Sequence, residues 1–145
     1  MGNHDSMRHP ALGLDYGDSR IGVAATDEFG ILAHPVATIA SNDQTDSIQR
    51  IIEIVNERKI KTLVVGLPLR LDGSEGDSAK KVRKFAARIS KSIPEIPMSF
   101  IDESYTTSDA SEKLREAGRN SRQQKAVIDQ AAAVEILNRW MEEGS

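Results

Sequence analysis

The sequence predicts an α/β chain: a mixed five-stranded sheet flanked by helices, in the order βββαβαβαα. Three observations carry that expectation. Between Leu12 and Ile39, three short apolar runs are separated by tight turns rich in Gly and Asp, the pattern of an antiparallel meander. Two later apolar runs, at 62–67 and 98–102, each follow a helical stretch. Strands joined through helices lie parallel, with right-handed crossovers. A long periodic segment then closes the chain, and its apolar stripe needs a sheet face to cover it.

Taken in order, residues 12–17 (LGLDYG) form a strand that runs into a turn at Asp18, Ser19 and Arg20. Residues 21–26 (IGVAAT) form the second strand, and residues 27–30 (DEFG) turn the chain again. The third strand covers 31–39 and is interrupted at Pro35, which places it at an edge or a bulge because proline donates no ladder hydrogen bond. Ser41, Asn42 and Asp43 supply helix-start chemistry. Ile48, Ile51, Ile52 and Val55 follow as one apolar stripe at helical spacing. The continuous run 62–67 (TLVVGL) suits a strand buried on both faces, and Pro68 ends it. Residues 70–77 read as a mobile loop able to embrace a substrate, or as an ordinary βα connection. A second helix spans 78–92 with Val82, Phe85, Ala86 and Ile89 inward, and the fifth strand is 98–102. A third helix covers 107–117, stopped by Gly118, and the last covers 122–142 with Ile128, Ala132, Ile136 and Trp140 inward.

The 145 residues are the size of one domain, assigned to 11–142, which can bury a core without staples. Residues 1–10 read as a flexible tail or an expression remnant, with Met7 an alternative start. The absence of cysteine excludes disulfides, thiol catalysis and Cys-based zinc sites. No run is long and apolar enough to span a membrane, and the N-terminal residues lack the apolar core of a signal peptide, so a cytoplasmic protein without a membrane partner is expected. A net charge of −3 argues mildly against nonspecific coating of nucleic acid, although catalytic carboxylates also lower that sum.

Three carboxylates stand where a core is expected. Asp15 lies within the apolar first strand beside Gly13 and Gly17, which admit another backbone or a phosphate. Buried without a cation it would be costly; the plain alternative is that it opens a turn with Asp18. Asp102 and Glu103 end a parallel strand, where sites collect in α/β sheets, and neighbouring strand residues point to opposite faces, so one of the two faces Asp15. A helix cap is the alternative. Asp129 shares its helix face with Ala132, Ala133, Ile136 and Trp140, or is a carboxylate favoured by the helix dipole. Convergence of the three over the sheet would suit a hard divalent cation, Mg²⁺ or Mn²⁺, and phosphodiester hydrolysis.

Four segments give these residues a family resemblance. Residues 12–17 with 20–24 (RIGVA), residues 65–69 (VGLPL) with Asp72 and Gly73, residues 102–107 (DESYTT), and Lys125 through Asp129 to Leu137 together resemble the YqgF/RuvX family of Holliday junction resolvases and pre-16S rRNA nucleases. The match runs from about Leu12 to Trp140. The resemblance implies a ribonuclease H-like fold and a magnesium-dependent nuclease site, with Asp15, Glu103 and Asp129 as catalytic acids and metal ligands, and two ions when substrate is bound. It also selects Glu103 over Asp102. The family usually carries Arg after the Asp-Glu pair; this chain has Ser104, with Arg20 and Lys125 as the candidate substitutes.

Lys80, Lys81, Arg83, Lys84, Arg88 and Lys91 crowd one helix with no acid among them, either as a solvated face or as phosphate contacts. Arg115, Arg119 and Arg122 make a second basic patch. Arg20, Arg70, Lys80, Lys81, Lys84, Arg119, Arg122 and Lys125 are the candidate substrate contacts. The expected partners are nucleic acid, as structured RNA or branched DNA, and pre-ribosomal particles, with the protein a monomer or a homodimer. Three classes of function remain in view: a processing nuclease or junction resolvase, an inactive ribosome-assembly module on the same fold, and an actin-like phosphotransferase. The last needs a duplicated domain that 145 residues do not supply.

Overall fold

The structure, a computed structural model, describes residues 8–103 and 122–143. Its elements run β1 (Ala11–Tyr16), β2 (Arg20–Thr26), β3 (Ala33–Ala40), α1 (Gln44–Arg58), β4 (Thr62–Leu67), α2 (Asp77–Ser92), β5 (Met98–Asp102) and α3 (Arg122–Glu143). The five strands form one sheet in the order β3-β2-β1-β4-β5. The β1–β2 and β2–β3 pairs are antiparallel, whereas β1–β4 and β4–β5 are parallel. The expected meander and βα units are therefore both present. The helix expected at 107–117 lies outside the described residues.

Strand alternation sorts the core into two layers. Leu12, Leu14, Ile21, Val23, Leu63 and Val65 pack with Ile51 of α1 and Phe85 and Ile89 of α2. Ala11, Ala24, Val64 and Ile101 turn to the opposite face and meet Ala133, Ile136, Leu137 and Trp140 of α3. In the second layer, glycines let α3 settle closely onto the sheet. A Cβ at Gly13 would stand 2.6 Å from Leu137 Cγ, and one at Gly22 would overlap the Asp129 carbonyl. The close approach expected at Gly13 is thus made by a helix rather than by a phosphate.

Local chemistry explains where the boundaries differ from expectation. β3 begins at Ala33 rather than Ile31 because the Asp27 carboxylate accepts backbone hydrogen bonds from Phe29, Ile31 and Leu32 at 2.9–3.0 Å, closing the turn over those residues. Pro35 sits on the sheet edge, with an irregularity in register between Val23 and Ala24. Asp43 caps α1 by accepting from Thr45 and Asp46, while the Ser41 hydroxyl donates to the Gly17 carbonyl at 2.8 Å. His9 is buried, its Nδ1 is 2.9 Å from Thr26 Oγ1, and its ring meets Trp140 edge-on. Arg8 places its guanidinium 4.3 Å from the Trp140 ring centre. These residues close the end of the sheet that Trp140 covers, which is why they fold with it.

Candidate active site

Asp15 stands near the end of β1, opposite Gly22 of β2, on the face that receives α3. Glu103 follows β5, and its N–H donates to the Leu67 carbonyl at 3.2 Å, which extends the β4–β5 ladder by one residue. β4 lies between the two acids. It carries Gly66 there, where any Cβ would collide with the Glu103 carboxylate. Glycine thus clears the space for Glu103 to lie over β4 and hydrogen-bond to Asp15. Of the adjacent pair, Glu103 turns inward and Asp102 is exposed.

A hydrogen bond between two carboxyl groups requires a shared proton. Burial, followed by the charges of Asp15 and Asp102, pushes Glu103 up to about 9. Burial pushes Asp15 up to about 6 against the hydrogen bond from Glu103, and the Asp129 charge adds to the rise. The two carboxyl groups therefore hold one proton between them, which belongs to the pair rather than to either residue.

Asp129 lies well inside α3, beyond its first turn, so the helix-dipole alternative falls away. Its Oδ2 accepts from Arg20 Nε at 2.6 Å, a partly exposed ion pair. The carboxylate is near enough to act on Asp15 but is held by Arg20. Among the described residues, no three ligand side chains are gathered into a ready metal cluster. The donor set nevertheless fits a hard divalent cation. Two partly buried carboxylates hold one proton between them, a third carboxylate lies close by, and all the ligand atoms are oxygen.

A cleft of about 220 Å³ opens on the pair between the Gly17–Asp18 turn, Pro68, and Ser78 and Lys81 at the start of α2. A larger cleft of about 630 Å³ lies at the other end of β1, around Pro10, Phe29 and Lys61. Size does not choose the site, since the carboxyl groups displaced from their ordinary range line the smaller cleft.

The expected substrate contacts separate in space. Lys81 lines the cleft, with Nζ 3.3 Å from Asp18 Oδ1. Lys84 lines an adjoining groove with Gln44 and Arg88. Arg20 is taken up by Asp129. Arg70 lies over Gly76, outside the residues lining the cleft, in a loop closed by hydrogen bonds between Arg70 and Ser74 and between Gly73 and Arg70, each 2.8 Å. Lys80 is exposed on α2 and also stands outside the cleft lining. Arg119, Ser104 and Tyr105, and the side chains of Arg122 and Lys125, lie outside the described residues. Tyr16 stacks on Phe85 with centroids 4.5 Å apart, so its ring packs.

The cations of α2 are not uncompensated, as their local sequence suggests. Arg83 makes a two-pronged contact with Glu75 at 2.6 and 2.7 Å, and Lys81 meets Asp18. Their partners come from other elements, which spacing within the helix does not reveal. Asp18 and Tyr16 line the cleft and Gln44 the adjoining groove, and of the three the sequence marks only Asp18, as a turn residue.

A mixed sheet with helices on both faces, and acids converging at its parallel strand ends, is the architecture of ribonuclease H-like nucleases. In agreement, the chain superimposes on Thermus thermophilus RuvC, solved in complex with a Holliday junction substrate, with a TM-score of 0.60 over 92% of this chain and 94% of that one, at 14% identity. A further Thermus thermophilus RuvC structure aligns with a TM-score of 0.52 at 13% identity, over 92% and 95% of the two chains. The chain belongs to the RuvX family, described as Holliday junction resolvase, whose model matches residues 9–143. It is 44% identical over 143 residues to the "Putative pre-16S rRNA nuclease" of Mycobacteroides abscessus, covering 98% of this chain and 86% of that protein. It is 45% identical over 131 residues to the protein of the same name from Streptomyces coelicolor, covering 90% and 78%.

Proposed function

We propose that this chain is a metal-dependent nuclease that hydrolyses nucleic-acid phosphodiester bonds in 5′-end processing of precursor 16S rRNA. The observation that carries the chemistry is the partly buried, proton-sharing Asp15–Glu103 pair, with Asp129 beside it, at the end of the parallel strands. The names of the relatives in Mycobacteroides abscessus and Streptomyces coelicolor support the ribosomal RNA substrate.

Bound Mg²⁺ or Mn²⁺, as two ions with substrate present, would supply an acidified water and neutralise charge on the leaving oxygen. Asp15 and Glu103 would hold it once Glu103 has released its proton, and Asp129 would join them by exchanging its Arg20 contact. Arg20, freed from Asp129 and more than a third exposed, would then face a phosphate oxygen. Lys81, at the cleft mouth, would hold the scissile phosphate against the pair. This reading implies cytoplasmic residence and contact with pre-ribosomal particles; no helix among the described residues is long and apolar enough to cross a membrane.

The family description favours a second reading, in which the same site cuts branched DNA. The test is incubation of the protein, with and without Mn²⁺, with a precursor rRNA fragment and a four-way DNA junction, alongside Asp15→Asn. The expected result is metal-dependent cutting of the RNA, lost by at least 100-fold in the variant. Cutting of the junction alone would establish the second reading, and full activity in Asp15→Asn would overturn the site.

A further inference from the structure

The catalytic cleft does not end at Lys81. A groove of about 550 Å³ shares Tyr16, Asp18 and Lys81 with it and runs on between the start of α1 and the outer face of α2. Lys81, Lys84 and Arg88 recur along the groove at i, i+3 and i+7, on one side of the helix. At 1.5 Å of rise per residue they span about 10 Å.

The groove is also preorganised. Gln44 donates to the Tyr16 hydroxyl at 3.2 Å and accepts from Arg88 Nη1 at 2.5 Å, while Tyr16 rests on Phe85. This chain of contacts holds the guanidinium across the groove before any ligand arrives, so less side-chain freedom is lost on binding. Lys84 makes no ion pair among the described residues. The acid lining the groove, Asp18, meets Lys81 at 3.3 Å with both side chains largely exposed, a pairing weak enough to yield to a phosphate.

Neighbouring surfaces do not offer the same path. Arg83 is turned to Glu75 and Phe100. The exposed face of α1 carries Glu53 and Glu57 around Arg50.

Resting on the nuclease reading above, we propose that the substrate strand leaves the carboxylate pair through this groove, its phosphates carried by Lys81, Lys84 and Arg88, with Tyr16 and Gln44 as the floor. The contacts are to the sugar–phosphate backbone, so they position the strand without reading its sequence.

Binding of a 5′-labelled precursor rRNA fragment, measured without metal in the Asp15→Asn background, separates this path from catalysis. The double change Lys84→Ala/Arg88→Ala is expected to weaken binding and to reduce the slope of log K against log[salt] by about 1.4, or about 0.7 for each phosphate contact on a single strand. In the active protein the same change is expected to raise KM more than it lowers kcat. Arg50→Ala removes a cation of the same type from the acidic face and is expected to leave the slope as it was. An unchanged slope in the double variant, or an equal loss in Arg50→Ala, overturns the path while leaving the nuclease reading intact. Failure of the parent protein to bind RNA overturns both.

Discussion

Glu103 is the residue at which stability and activity are set against each other. Its folded carboxyl titrates near 9 rather than in the ordinary range, because burial and the Asp15 and Asp102 charges oppose its ionisation. Asp15 is raised in the same direction, to about 6. The folded state therefore binds more protons than the unfolded chain between about pH 4 and pH 9. This contribution to stability is fully present below the unfolded values. It is lost as pH rises through the folded ones, first at Asp15 and then at Glu103. The metal-free protein should accordingly lose stability from pH 5 to pH 9. Glu103→Gln keeps a hydrogen bond to Asp15 without taking up a proton on folding, so at pH 8 it should be more stable than the parent by up to a few kcal/mol, given roughly 1.4 kcal/mol per pKa unit. It should also lose metal-dependent cleavage. Urea denaturation at the two pH values checks the first expectation, and a variant less stable than the parent at pH 8 would contradict it.

At the scale of elements, three glycines determine how the site is assembled. Gly13 and Gly22 let α3 reach the sheet and bring Asp129 to it, and Gly66 lets Glu103 cross β4. Helix and strand here are close-packed, so an added methyl group displaces its neighbours. At Gly66 the displaced groups would be the Glu103 carboxylate and Ile136. Gly66→Ala is expected to cost about 1–3 kcal/mol by overpacking and to lower cleavage at least 10-fold by moving Glu103 off Asp15. Chemical denaturation and initial rates at saturating Mn²⁺ measure the two effects. Parental activity in this variant would show that Glu103 does not need its position over β4.

For the molecule as a whole, metal binding should act as a stabilising ligand. A cation bound by the folded carboxylates and not by the unfolded chain adds about 2.7 kcal/mol at 100 times its Kd. It would have to displace the proton that the Asp15–Glu103 pair holds, so its affinity should rise with pH. Mn²⁺ is therefore expected to raise Tm by several degrees at pH 8 and by much less at pH 6, the opposite slope to that of the metal-free protein. Thermal scans at both pH values, with and without Mn²⁺, decide this. A metal-induced shift that shrinks as pH rises would argue against the Asp15–Glu103 pair as the ligand. The same comparison in Asp15→Asn should show no shift.

What the sequence determined was whatever depends on near neighbours. The short apolar runs of β1 and β2 between turns, the continuous apolar run of β4, the stripes of α1 and α2 and the edge or bulge position of Pro35 follow from side-chain period and turn chemistry, which act over a few residues. Asp15, Glu103 and Asp129 were visible as acids in apolar settings, and the family resemblance joined them. Tertiary structure decided what those acids face. Asp15 and Glu103 share a proton because β4, with Gly66, separates β1 from β5. Asp129 meets Arg20, a partner 109 residues away. Lys81 and Arg88 find Asp18 and Gln44, on elements that no helix periodicity connects to them. His9, which composition assigns to a tail, belongs to the core because Thr26 and Trp140 receive it. Local pattern selects the elements because its energies are local. Charge pairing and desolvation are set by atoms brought together through space, and the packing of the sheet and α3 supplies that proximity.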